Sequence, residues 1–451
     1  MKHEKTNDLI HGKESKAIIS FAVPMIIGNI FQQLYNVADT IIVGKFIGPN
    51  ALAAVGSSFS IMVLLTSIIL GLCMGSGAVF SYFYGANEIN KLKNSLFTAF
   101  SFIVILTIII NIGAILFIDE ILRFIQIPTE IFADTKAYLL IIFYGFAFTS
   151  LYNYFASVIR SLGNSLIPLV FLIISAVINI VLDYIFVVPL KMGVEGAAYA
   201  TIIAQGFSAA GITTYSIARV PLLRLSRKHI FLDNAMIKMI CSYSVLSSIQ
   251  QSIMNFGILM IQGLVNNFGI QVMAAFAAVV KIDSFAYMPV QDFGNAFSTF
   301  ISLNKGANKQ ERIHNGIRSA VIIITIYCVI ITALVLILAK PLMGIFIESE
   351  EIEIIRIGTQ YLAIVGTFYC LIGYLFMFYG LFRGLGKSEV SIVLTIVSLG
   401  TRVVLAYTLS SIPAVGISGI WWAIPIGWGL ADLIGLYKVR SLINHDLHHK
   451  S

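Results

Sequence analysis

Apolar runs of bilayer-spanning length recur from one end of this chain to the other, and that feature sharply restricts what it can fold into. A helix needs about 20 mostly apolar residues to cross a bilayer. Runs of that kind occupy approximately residues 17–43, 52–84, 94–117, 134–158, 167–189, 196–218, 238–264, 273–303, 316–339, 354–379, 389–411 and 417–438. They are too long and too continuously apolar for barrel strands, which alternate over about 10 residues. With no water in the bilayer core, each run must satisfy its own backbone hydrogen bonds, so each is predicted to be helical. The expected fold class is an all-α polytopic membrane protein with twelve transmembrane helices. Composition agrees, because charged residues make up only 11% of the 451, too few to solvate the surface of a soluble chain this long.

The net charge of +7 is explained by topology without any nucleic-acid partner. With the N-terminus placed in the cytoplasm, twenty-one of the 29 Lys and Arg fall on the cytoplasmic side and six outside, while Lys281 and Arg402 lie within spans. That is the positive-inside bias expected of an even number of helices in a cytoplasmic (inner) membrane, with both termini in the cytoplasm. The first run is too long for a cleaved signal and carries Pro24, Gln32, Asn36 and Asp39. Cys73, Cys241, Cys328 and Cys370 lie in spans with no pairing or metal spacing, and read as inert thiols. His445, His448 and His449 read as a solvated tail rather than a metal site.

The chain also repeats itself. Gly85-Ala86-Asn87 recurs as Gly306-Ala307-Asn308, an offset of 221, and Arg160-Ser161-Leu162-Gly163-Asn164-Ser165 recurs as Arg383-Gly384-Leu385-Gly386-Lys387-Ser388, an offset of 223. Each half then holds six spans. An even number returns the chain to its starting side, which predicts two six-helix bundles of like orientation, related by a pseudo-two-fold axis along the membrane normal. The expected boundaries are an N-terminal lobe over 1–220, a cytoplasmic linker over 221–238 and a C-terminal lobe over 239–451.

Charge inside a span is expensive, so intramembrane carboxylates are where chemistry is sought first. Gln32, Asn36 and Asp39 share one face of the first span, a polar stripe that cannot face lipid cheaply. Asn179 and Asp183, four apart, aim an amide and a carboxylate the same way. Such oxygens suit Na⁺ or a proton, with an interhelical hydrogen bond as the structural competitor. The second half lacks these groups, since Asp39 falls on Met260, Asp183 on Ala406 and Asn179 on Arg402. The asymmetry places the coupling chemistry in the first half. Asp283, near Lys281, and Asp292, one turn before Asn295, divide evenly between cleft lining and local ion pairing; Gln251 and Asn255 suggest an uncharged cavity wall. Asp432 reads as structural. Gly386-Lys387-Ser388 resembles the end of a phosphate loop, but the required glycine is Leu381, so no ATP site or other cofactor is expected.

Together these residues resemble the multidrug and toxic compound extrusion (MATE) family over about residues 16 to 440. The resemblance rests on Pro24, the run Val37-Ala38-Asp39-Thr40-Ile41-Ile42-Val43-Gly44, Asn179 to Asp183, the paired Arg-x-Leu-Gly-x-Ser loops and the duplication. It implies a secondary antiporter that exports small organic cations in exchange for H⁺ or Na⁺. In relatives with a cation site in the first half, the matching positions are Asp39, Asn179, Asp183 and Thr201, with Tyr138 nearby; relatives with an acid in the seventh span find Gln250 and Gln251 here. The expected partners are organic cations and membrane lipids, without ATP. A lipid-linked oligosaccharide flippase of the same superfamily would want more intramembrane basic residues than Lys281 and Arg402. A non-transporting membrane sensor would not need buried acids.

Overall fold

The computed structural model describes residues 9–348 and 350–448. Lys2, Lys5 and Lys450, among the twenty-one basic residues counted on the cytoplasmic side, and His449 lie outside what it describes, as do the side chains of Lys228, His445 and His448. The described chain is helical throughout, apart from short turns.

The first six spans are α1 (Glu14–Phe46), α2 (Pro49–Gly85), α3 (Ile89–Leu116), α5 (Thr129–Ser161), α6 (Leu166–Val187) and α7 (Gly193–Arg219), with a short helix α4 (Ile118–Phe124) after the third. The second six are α8 (Asn234–Asn266), α9 (Ile270–Gly306), α10 (Gln310–Gly344), the pair α11 (Ile352–Thr367) and α12 (Tyr369–Gly384), α13 (Ser388–Ser410) and α14 (Ser418–His448). Among the described residues ten of these helices are individually long and apolar enough to cross a membrane; α11 and α12 qualify together, bent by 52°. The remaining span, α7, is the less apolar one, and packs against α5 and α6. One expectation is corrected here: the tenth span, read as continuous over 354–379, is broken at Phe368.

The helices group into two compact units. One gathers Val23–Gln251 with the turn Gly306–Asn308; the other gathers Ser252–Lys305 and the chain from Lys309 onward, with His11–Ala22. Residues at the start of α1 and of α8 thus group with the opposite half of the sequence.

The duplication is written into the backbone. Left-handed residues recur at the two sequence offsets: Gly48 (φ 122°) with Gly269 (95°), Asn87 (57°) with Asn308 (55°), Gly163 (89°) with Gly386 (76°) and Gly193 (62°) with Gly416 (53°). Four of these close a helix in the same way. The amide following the left-handed residue donates five residues back, Glu88 to Phe83 O (3.0 Å), Lys309 to Asn304 O (2.9 Å), Asn164 to Ile159 O (3.2 Å) and Lys387 to Phe382 O (2.8 Å). Glycine and asparagine are the residues that adopt this conformation at least cost, and the bond satisfies a carbonyl that the helix end would orphan.

The arginine of the second repeated loop turns into the bundle. Arg383, at the end of α12, is buried and donates to Ser298 Oγ (3.1 Å) and Asn295 Oδ1 (2.8 Å) on α9. Cys328 and Cys370, whose spacing gives no sign of a pair, meet as neighbouring thiols.

Candidate functional site: a carboxylate cluster in the first bundle

The polar stripe on α1 is real. Gln32, Tyr35, Asn36 and Asp39 are half-buried, whereas Leu34, Val37 and Ile41 are exposed by 51%, 51% and 59%. From α6, Asp183 and Asn179 are buried, at 0% and 3% exposure. The carboxyl groups of Asp39 and Asp183 face one another within hydrogen-bonding range. Around them stand Tyr138 of α5, beside Thr201 of α7, and Tyr35, beside Gln32. Asn179 Nδ2 donates to Thr201 Oγ1 at 3.4 Å. Asp39, Asn179 and Asp183, with the Thr201 and Tyr138 that the family resemblance implies, thus lie together on four helices.

The chemistry of the cluster is set by a shortage of donors. No protein donor reaches Asp39 Oδ1, Asn179 Oδ1 or either oxygen of Asp183. Buried polar groups are normally satisfied, and an unmet one costs about 1–3 kcal/mol, more when charged. Two carboxylates facing each other are acceptor against acceptor, an arrangement that a proton held between them or a cation bound by both would relieve. The oxygens present suit a hard cation such as Na⁺. Tyr35 escaped the sequence reading, although its spacing of four from Asp39 put it on the same helical face.

One turn beyond each carboxylate comes a valine. Val43 and Val187 are buried in the same apolar cluster as Tyr138. Beyond them a cavity of about 400 Å³ opens, lined by Phe46, Ile47, Val187, Val188, Lys191 and Gly193. Val187 thus both lines the cavity and packs in the apolar cluster one helical turn from Asp183.

The other candidates fall elsewhere. Asp283 on α9 does not pair with Lys281, whose ammonium lies 5.6 Å over the Phe346 ring; two residues apart on a helix do not face each other. Instead Asp283 accepts hydrogen bonds from Tyr361 (2.5 Å) and Tyr369. Tyr361 is the repeat of Tyr138, so the second half also sets an acid against that phenol, but from a different helix. Asp292 is buried near the Asn295–Arg383 contact, on the same helix. Gln251 and Asn255 are half-buried on α8. Asp432, read as structural, is buried, and neither of its oxygens accepts a hydrogen bond among the described residues.

Duplicated bundles of membrane-spanning helices that bury acids, amides and phenols fit the frame of a membrane transporter. The chain matches the MatE family over residues 24–185 and again over 244–408, once in each half, and it belongs to that family. It is 26% identical over 428 residues to the probable multidrug resistance protein YoeA of Bacillus subtilis (strain 168), covering 93% of this chain and 92% of that one. It is 28% identical over 406 residues to the probable multidrug resistance protein YpnP of the same organism, covering 87% and 88%. A solved structure of a MOP superfamily transporter from Pyrococcus furiosus superposes with a TM-score of 0.92 at 25% identity, covering 98% of this chain and 99% of that one.

Proposed function

We propose that this protein is a secondary antiporter of the cytoplasmic membrane that exports small organic cations in exchange for H⁺ or Na⁺, with the Asp39–Asp183 cluster as its coupling site. The carrying observation is the set of buried acceptor oxygens in the first bundle that no protein donor reaches. Both relatives named above are described as probable multidrug resistance proteins, which supports export of drug-like molecules. In this reading both termini face the cytoplasm, and the valine-sealed cavity opens outward.

The mechanism follows from charge. With both acids ionised, the cluster is a pair of like charges in a sheltered place, and a cation arriving from outside relieves their repulsion. Uptake of one H⁺ or Na⁺ draws α1 and α6 together through Asp39 and Asp183, with Thr201 and Tyr138 adjusting on α7 and α5. A ligand shifts a conformational equilibrium only through its differential affinity for the two states. The ion therefore favours the state that lets the organic cation go outward, and leaves into the cytoplasm when the protein returns. The direct test is export of a fluorescent organic cation from proteoliposomes under an imposed pH or Na⁺ gradient. Export driven by one gradient and not the other names the ion; transport indifferent to both removes the antiport reading.

A seal formed by Val43 and Val187 is testable separately. In a variant lacking the four cysteines, Thr201→Cys is expected to react slowly with a charged thiol reagent added from the cavity side. Adding Val43→Ser and Val187→Ser is expected to speed labelling severalfold. Equal rates would mean that the valines are not the seal.

A further inference from the structure

The break in the tenth span has no proline to cause it, and sharp bends without proline need a tertiary reason. At the break, Phe368 N–H donates to Val365 O and Leu371 N–H to Phe368 O, three residues back each time. Thr332 Oγ1 of α10 donates to the Gly366 carbonyl at 2.9 Å, supplying a partner where the ladder falters. The first half has no such break. The offset of 223 lays Phe368 on Gly145 in the middle of α5, which runs unbroken, and there the bare glycine lets Ile202 of α7 sit against the helix. Phe368 is too large for that contact, and its ring packs edge-on against Trp422 of α14, 5.8 Å between centroids.

Asp283 spans this break. Of the two phenols that bond it, Tyr361 belongs to α11 and Tyr369 to α12, one on each arm of the bend. A buried intramembrane carboxylate is costly to keep, and here its two oxygens are spent on holding two helix segments at an angle. A third donor stands by. Arg402 of α13 is close enough for its charge to act on Asp283, Tyr361 and Tyr287, yet it makes no ion pair with Asp283, and its Nε has no hydrogen-bond partner. Two donors thus hold the carboxylate, while the charge of a third, Arg402, acts on it.

We propose that Asp283 is the clasp of a hinge at Phe368, holding α11 and α12 bent through Tyr361 and Tyr369, and that passing the carboxylate to Arg402 frees the two arms and straightens the tenth span. Asp283 is then a positioning residue of the second bundle. The proposal rests on the transporter reading for its use in a cycle, but the bend itself is measured without transport.

Spin labels at Ile352→Cys and Lys387→Cys, at the two ends of the bent span, report its end-to-end length in lipid nanodiscs, in the variant lacking native cysteines. Each arm of 16 residues is about 24 Å long, so straightening a 52° bend lengthens the separation by about 5 Å. The Tyr361→Phe/Tyr369→Phe pair is expected to shift the distribution to the longer distance. Arg402→Gln is expected to abolish whatever long component the parent shows. If Asp283→Asn and the double phenylalanine variant both keep the parent distribution, the clasp is a fixed strut and the proposal is wrong. Tyr369→Phe alone, which deletes one hydroxyl, serves if the double variant does not yield folded protein. Gradient-driven export assayed on the same variants separates the claims: an unchanged bend with intact export defeats the hinge alone, whereas a shifting bend with no gradient-driven export in the parent defeats the antiporter reading alone.

Discussion

Asp183→Asn and Asp39→Asn each lose gradient-driven export of an organic cation in proteoliposomes. The amide fills the same space, so the helices pack as before, but it carries no charge and takes up no proton. If the ion acts by favouring one state of the protein, its removal forfeits a coupling free energy of about 1–3 kcal/mol, which corresponds to about 5–150-fold in the population of the releasing state. The measurement is the initial rate of export with and without the gradient. Binding of the organic cation without a gradient should survive, because the acids couple rather than hold the cargo. Asp119→Asn is the control: that acid pairs with Lys136 at 2.7 Å in a part-exposed setting, and its loss should leave export alone. Full gradient-driven export by both cluster variants would take Asp39 and Asp183 out of the mechanism.

Gly380→Leu leaves little folded protein. Gly380 of α12 meets Gly294 of α9 so closely that an added Cβ would overlap the Gly294 carbonyl oxygen. The reverse is nearly as tight, since a Cβ on Gly294 would stand 2.5 Å from the Phe376 carbonyl oxygen. Small residues of this kind let membrane helices approach backbone to backbone, where packing rather than the hydrophobic effect holds them together. Overpacking an ordinary core costs about 1–3 kcal/mol. Here the obstacle is main chain, which cannot rotate away, so α9 and α12 must part and the contacts of Arg383 with Asn295 and Ser298 go with them. The readout is the monodisperse fraction surviving a heating series in detergent. Gly400→Ala on α13, where an added Cβ meets nothing within 4 Å, is expected to match the parent. Equal thermal survival of Gly380→Leu would show that the two helices do not pack as described.

Legibility differed from site to site for physical reasons. The Asp39 stripe was readable because residues four and three apart on a helix share a face whatever the tertiary structure. Convergence of that stripe with Asn179 and Asp183 was only suspected, since spacing within one helix says nothing about which helix faces it. Asp283 shows the limit most clearly. Aligning the repeats compares position with position and found no acid at Met260 or Ala406, yet the fold brings an acid from α9, repeat of Met62, to the repeat of Tyr138. Arg383 belongs to a repeated loop motif that carries no sign of burial, and packing against α9 buries it.

By itself the sequence determined the membrane as solvent, the helical state of every span, the duplication and the turns that end its helices. These follow from local rules: no water for the backbone in lipid, and left-handed turns that favour glycine and asparagine. Only the tertiary structure decided that four helices pool oxygens without donors, that one span breaks at Phe368, and that Asp283 reaches both sides of that break. Those outcomes depend on which side chain fills the space beside which helix, as Phe368 does where the other half has Gly145, and no spacing along the chain encodes that.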